Sequence, residues 1–455
     1  MRSDAGPSAR PSMVVVGASF AGLFAAAAAA QAGFDVTVCE RDDLADESVS
    51  RRGVPQGGQG HVLLHRGLLA AGTLLPGLAD ELRAAGAVEF DSGAMPFRGD
   101  GGWLPTGSGH PILSISRVRL EQVVRARVLA LDHVSLVTDV RVAGLARVGD
   151  GWQVVDERGT HRAATWVVDA SGRGSRLPHW LRRLGVTVGE PESIDAHLGY
   201  AARTFRARGS LPVRTAVRVM ATQASPTGGT ALPLEGGRWL VGVEGYGSRR
   251  PERGEAAFGT FLRELPDPAL ADLVAALEPV DEVTVHRQTG NHRTAYGDDR
   301  AWPPGLLVVG DALCAFNPVY GQGITVAALQ GVVLRDALGG RRPCSPGDSR
   351  RLQRLLRAPA ALAWQTSTSE DRRILGLTGR SDRVLSAWAG RVIGLAMAGD
   401  RTCARAMNDV YHLMRPASSL VGPRVVAAVL RGWRTRVPTT PPRPEVLTGL
   451  RAGGA

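Results

Sequence analysis

Three short apolar runs punctuate the first three-quarters of the chain: Met13–Val16, Trp166–Val168 and Leu306–Val309. Each is unbroken, the pattern of a strand buried on both faces. Each runs into Gly, Ser or Asp within two residues. The first continues through Gly17 and Gly22 into an Ala-rich run, then through Gly33 into FDVTVC, Phe34–Cys39. This predicts a strand, a tight turn, a buried helix and a second strand. The apolar length of Met13–Ala30 also suits a signal peptide or a membrane span, but its glycines fall where a β-α-β unit needs them. After Ser116, RVRLEQVVRARVLAL predicts a helix, with strands at Val134–Val142 and Gly151–Val155. Residues 186–294 change rhythm. Tyr200–Arg206, Thr215–Ala221 and Gly229–Gly245 alternate, and Glu235-Gly236-Gly237 predicts a hairpin turn. Helices near Glu252–Leu265 and Pro268–Leu277 and a strand at Val283–Thr289 follow. From Arg350 to Trp433 the period is helical, with apolar faces around Leu352–Leu356, Val384–Met397 and Leu420–Leu430.

The expected organisation is α/β. A discontinuous Rossmann-like domain takes residues 13–75, 110–185 and 295–345. A β-sheet domain inserted into it takes 76–109 and 186–294. A helical region takes 346–435, and 1–12 and 436–455 are expected to be loose termini.

The turns carry the candidate chemistry. In Gly17-Ala18-Ser19-Phe20-Ala21-Gly22 the turn needs Gly17, the helix N-terminus suits a pyrophosphate, and Gly22 lets helix and sheet approach. Ser19 replaces the middle glycine of the dinucleotide fingerprint. Glu40, with Arg41 after it, comes 23 residues beyond Gly17, where an acid takes ribose hydroxyls. The Gly-rich loop Arg51-Arg52-Gly53-Val54-Pro55-Gln56 offers two cations to a pyrophosphate or a phosphorylated nicotinamide cofactor. Asp169-Ala170-Ser171-Gly172 ends the second run. Gly310-Asp311 ends the third, and Phe316-Asn317-Pro318 and Gly321-Gln322-Gly323-Ile324 then open a helix. Asp311 can accept from sugar-like hydroxyls, and the Gly321–Gly323 turn lets backbone approach a ring whose negative charge the helix N-terminus favours.

Composition narrows the choices. The chain of 455 residues has formal charge +11, and all 54 basic residues are arginine. They are scattered, so a nucleic-acid groove is not indicated. The absence of lysine excludes Schiff-base and Walker A chemistry. Four unpaired-looking cysteines imply neither disulfides nor zinc, and a cytoplasmic setting fits. His61 and His65 have metal-ligand spacing but no evident third ligand, so no metal is expected.

The stretch 306–331 resembles the second flavin fingerprint of the class A flavoprotein monooxygenases, the para-hydroxybenzoate hydroxylase-like group. Asp169-Ala170 resembles the same group's third fingerprint. The R-R-G-V-P-Q loop resembles that of the bacterial polyketide and polyether epoxidases, although Gly58-Gln59 departs from their pattern. The resemblance implies an FAD-binding Rossmann-like domain (GR2 type), an inserted substrate-binding sheet and a helical C-terminal region. In that family Asp311 would bind the ribitol chain. Pro318, Gly321 and Gly323 would border the isoalloxazine, Arg117 at its helix start would reach FAD, and backbone near Val140 would meet the adenine. It further implies FAD, NAD(P)H and O₂, acting through a flavin C4a-hydroperoxide on an apolar small molecule. Epoxidation of a polyketide- or terpene-like alkene is expected. Phenol hydroxylation and prenyl or alkene reduction are the alternatives. An alkene needs no base, and no His/Tyr/Asp relay is legible in the inserted sheet. Tyr200, Phe205, Met220 and Trp239 are candidates to line its inner face, against the commoner role of strand aromatics as core. The C-terminal helices are expected to be a bundle, with weak membrane-surface association as the alternative and no span.

Overall fold

The computed structural model describes residues 10–44, 60–99, 101–287, 289–340, 344–377, 379–436 and 442–452. Arg51, Arg52 and the Gly58-Gln59 departure lie outside the described residues.

The apolar runs assemble into one parallel sheet. Its strand order is Leu306–Val308, Trp166–Asp169, Ser12–Val16, Asp35–Cys39, Val134–Val137. Register aligns their ends: Val16 lies opposite Asp169, and Asp169 opposite Val308. All three candidate turns therefore leave the same carboxyl edge of the sheet, the edge on which doubly wound sheets bind ligands. The helix Phe20–Gln31 has almost no amphipathic contrast because nearly every side is covered. Ala25–Ala29 are buried without exception, as expected of a helix sandwiched between sheet and helices. Its neighbours come very close: a Cβ on Gly331 would stand 3.0 Å from Phe24 Cβ and 2.7 Å from a Leu74 methyl.

The second sheet is built mainly from the alternating segments. Leu198–Ala207, Arg238–Tyr246 and Thr227–Leu234 pair antiparallel, and Val217–Val219 extends them. Phe97–Gly99 joins Val217–Val219 in parallel and brings Gly102–Trp103 with it. The expected hairpin turns at Glu235-Gly236-Gly237, with φ +68° at both glycines. Period two then sorts the faces. One face carries Ala201, Phe205, Val217, Ala231, Trp239 and Val243 into a core with the helices Glu255–Arg263 and Ala269–Ala275. Phe205 and Trp239 thus belong to this outer core, not to the inner face on which they were candidates. The other face turns Tyr200, Arg218, Thr230, Leu232 and Glu244 toward the parallel sheet's turns.

After the third turn's helix come the helices Ser349–Ile374, Arg380–Met397, Arg401–Tyr411 and Pro423–Arg431. The expected loose terminus is corrected over residues 442–452. Glu445–Ala452 is helical, Leu447 and Leu450 enter the outer core of the second sheet, and Arg443 Nη2 pairs with Asp272 at 2.7 Å. The run is short, but its apolar residues three apart share a helical face that finds apolar partners there.

Candidate functional site

The first turn is glycine-dependent at two points. Gly17 has φ +104°, and a Cβ there would stand 2.6 Å from Ala170 O, so the first and second candidate turns touch. A Cβ on Gly22 would stand 1.8 Å from Gly17 O. The close approach of helix to turn requires hydrogen at that position. The first turn of this helix holds no acid and Ser19 makes no side-chain cap, so its N–H groups are available to an anion. Arg117, at the start of the Arg117–Leu129 helix, reaches the same end. Its Nη2 donates to Ser19 Oγ at 3.1 Å, and its guanidinium lies over Phe20.

Glu40 is buried behind this turn. Its Oε2 accepts from Ala18 N at 2.8 Å and its Oε1 from Asp42 N at 3.1 Å. Arg41 is half exposed beside Asp42. Val140 is buried, and its N–H donates to Glu40 O at 2.8 Å. Asp169 is fully buried and faces inward. It accepts from Ser171 N at 3.0 Å and from the hydroxyls of Ser171 and Ser175, and burial pushes its carboxyl above the usual range. Its contact with the site runs through the turn it shapes rather than through its own oxygens.

The third turn meets the first directly. Gly310 has φ +60°, and a Cβ there would stand 2.4 Å from Ala21 Cβ. This places Asp311 beside the fingerprint helix and beside Gly323, where a Cβ would lie 3.9 Å from Asp311 Oδ1. The Asp311 side chain is 41% exposed, with Arg173 Nε 3.5 Å from Oδ2. Gly321 takes φ +63° after Pro318-Val319-Tyr320, Gln322 precedes the helix Gly323–Gly339, and Ile324 is buried in its first turn. Gln322 is buried, and its Oε1 meets no hydrogen-bond donor among the described residues.

Against Pro318, Val319 and Gly321 lies a cleft of about 940 Å³ including its open mouth. Phe90, Met95, Ile112 and Leu232 supply apolar wall. Tyr200, Arg218, Thr230, Glu244 and Tyr411 supply a polar one. Arg218 and Glu244 form a buried two-pronged pair, Nη1–Oε2 2.8 Å and Nη2–Oε1 2.5 Å. Such a pair is costly to desolvate and strongly destabilising to break from one side. Of the other two aromatic or sulfur candidates, Tyr200 reaches the cleft, and Met220 Sδ lies 3.1 Å from Arg218 Nε behind it.

A hydrogen-bonded chain joins this wall to the C-terminal helices. Tyr200 Oη donates to Asn317 Oδ1 at 3.2 Å. Asn317 Nδ2 and Asn291 Nδ2 donate to Asp371 at 2.8 and 2.6 Å, and Ser367 Oγ donates to Asn291 Oδ1. Burial pushes the Asp371 carboxyl up to about 7 despite these donors, and the charge of Glu370 adds to the rise. Burial also holds the Tyr200 phenol protonated well above its ordinary range. The sequence placed no relay in the inserted sheet. The structure puts Tyr200 of that sheet at one end of a Tyr–Asn–Asp chain. Asp371 was missed because it joins Asn317 and Asn291 only across 54 and 80 residues. Its one local signal is an acid on the buried face of a helix. His65 is not among the residues lining the cleft; it stacks on His110, with His412 edge-on to that ring, and no group of three or more His, Cys, Asp or Glu that could hold a metal occurs among the described residues.

Protein Rv3254 of Mycobacterium tuberculosis is 33% identical to this chain over 359 residues, 74% of each protein. The chain belongs to the family of that protein. No family model matches it. Among solved structures, a flavoprotein/dehydrogenase from Cytophaga hutchinsonii superposes with TM-score 0.67 at 15% identity, over 94% of this chain and all of that one. PqsL, a probable FAD-dependent monooxygenase from Pseudomonas aeruginosa, superposes with TM-score 0.59 at 18% identity, over 81% and 99%. The fold is thus the FAD-binding fold of the flavoprotein monooxygenases, in agreement with the α/β organisation expected from the turns.

Proposed function

We propose that this chain is an FAD-dependent monooxygenase. It draws electrons from NAD(P)H and uses O₂ to oxygenate a large, mainly apolar small molecule, with an alkene of a polyketide- or terpene-like compound as the acceptor. One observation carries the reading. Three Gly- or Asp-bearing turns leave one edge of the parallel sheet, and the third also walls a cleft with an apolar and a polar side.

The residues fit the group. The Gly17–Gly22 turn, leading into a helix with no side-chain cap and no acid in its first turn, takes the pyrophosphate with Arg117 nearby. Glu40 lies near the ribose and the Val140 backbone near the adenine. Half-exposed Asp311 meets the ribitol hydroxyls. Pro318, Gly321, Gln322, Gly323 and Ile324 border the ring, at a helix N-terminus that favours negative charge. When bound, the flavin supplies the redox and oxygen chemistry. The protein's part is to hold substrate over Pro318–Gly321 and to keep water out of the cleft. Arg51 and Arg52 are assigned to the pyrophosphate or NADPH by the sequence alone.

The purified protein should be yellow, oxidise NADPH faster when its substrate is added, and give a product one oxygen heavier, labelled from ¹⁸O₂. A colourless protein that takes up no FAD would end the reading. A second reading, phenol hydroxylation, is favoured by Tyr200, whose hydroxyl donates to Asn317 and whose oxygen can accept a hydrogen bond from a phenol in the cleft, orienting it for proton loss. Label at an aromatic carbon would select it. A product two hydrogens heavier without added oxygen would select alkene reduction instead.

A further inference from the structure

Among the described residues, the thirteen large apolar side chains that remain exposed are not spread evenly. The five most exposed, Val384 (71%), Trp433 (68%), Leu377, Leu430 and Leu385, all lie in the C-terminal helical region. Geometry brings most of them together. In the helix Arg380–Met397, Trp388, Val392 and Leu395 face the neighbouring helices. Val384 and Leu385 continue that same stripe one turn earlier, past the end of its cover. Trp388 Nε1 donates to Leu420 O at 2.8 Å, and Arg391 Nη2 donates to Trp433 O at 2.8 Å. The backbone beside exposed Val421 is thus tied to Trp388, and that of exposed Trp433 to Arg391 one turn later on the same helix. Leu430 sits one helical turn before Trp433.

The charge on this region is one-sided. Residues 375–436 hold ten arginines and three aspartates, and from 410 to 436 there is no acid at all. Arg424, Arg431, Arg434 and Arg436 are exposed around Leu430 and Trp433.

We propose that this face docks on the surface of an anionic lipid bilayer. A second copy of the chain would bring like charge against like charge. A nucleic acid would meet the arginines but leave Leu430, Trp433 and Val384 in water. An anionic bilayer meets both, with the side chains at acyl depth and the arginines at the headgroups. No helix among the described residues is long and apolar enough to cross a membrane, so the contact is peripheral. It does not depend on the flavin reading.

Sedimentation of the full-length protein with vesicles tests it. Phosphatidylcholine vesicles containing about 30% phosphatidylglycerol should pull the protein down, and pure phosphatidylcholine should not. About 0.5 M salt should release most of it. Arg431→Gln and Arg434→Gln should each lower partitioning about fivefold, and Leu430→Ser with Trp433→Ala about tenfold or more. Circular dichroism reports whether the variants fold, and the lipid and salt dependence of the unaltered protein decides the matter if they do not. Three results would overturn the proposal: no preference for phosphatidylglycerol; binding that survives Leu430→Ser with Trp433→Ala, as on a nucleic-acid surface; or a dimer in solution that those two changes dissolve.

Discussion

Asp311 and Asp371 are both carboxylates near the proposed ring site, and their surroundings give them opposite work. Asp311 is 41% exposed, with Arg173 Nε 3.5 Å from its Oδ2. Asp311→Ala should weaken FAD binding by about 1–3 kcal/mol in a titration, the loss of charge-assisted hydrogen bonds. Asp371 is closed off, and burial raises its pKa to about 7. A carboxyl that binds its proton more tightly folded than unfolded contributes stability at low pH that is lost as pH climbs through the folded value. Asp371→Asn removes that dependence. Relative to the unaltered protein, the variant should gain about 2–4 kcal/mol between pH 4 and 8, measured by urea unfolding at each pH; a pH-independent difference would reject the assignment. In single-turnover oxygen transfer, any inflection near 7 should vanish in the same variant. The turns that carry Gly17, Gly22, Glu40 and Asp311 were legible because the spacing of Gly and acid after an apolar run is visible along the chain. Arg218, Glu244 and Asp371 were not, because a buried charge is recognised by its partner and the partners are far along the chain.

At the scale of elements, the parallel strands and the hairpin at Glu235-Gly236-Gly237 were readable from run length, period and turn residues. The facing of the second sheet was not. Alternation says that two faces differ, but Phe205 and Trp239 could be assigned to the outer one only once the helices Glu255–Arg263 and Ala269–Ala275 had covered it. The terminal helix was hidden for a related reason: Pro-rich flanks read as tail, and eight residues rarely hold a helix without tertiary contacts. Leu447 is fully buried against that outer core. Leu447→Ala should therefore destabilise the folded protein by about 2–4 kcal/mol, seen as a lower denaturation midpoint, whereas an exposed tail would show no change.

For the molecule as a whole, a ligand that binds only the folded state must stabilise it. FAD at a hundredfold excess over its dissociation constant should add about 2.7 kcal/mol, and the thermal midpoint should keep rising with FAD concentration. An FAD-independent midpoint would count against a flavin site. The contact between Gly310 and Ala21 has a bearing on biosynthesis. The Gly17–Gly22 turn emerges from the ribosome roughly 290 residues before the strand that brings Asp311 beside it. At about 5–20 residues per second that interval is about 15–60 s. A ligand that needs both turns can be captured only late in synthesis. Until then the nascent chain displays Trp166–Asp169, an apolar strand with no neighbour on its outer side, which makes the half-made protein a natural client for chaperones.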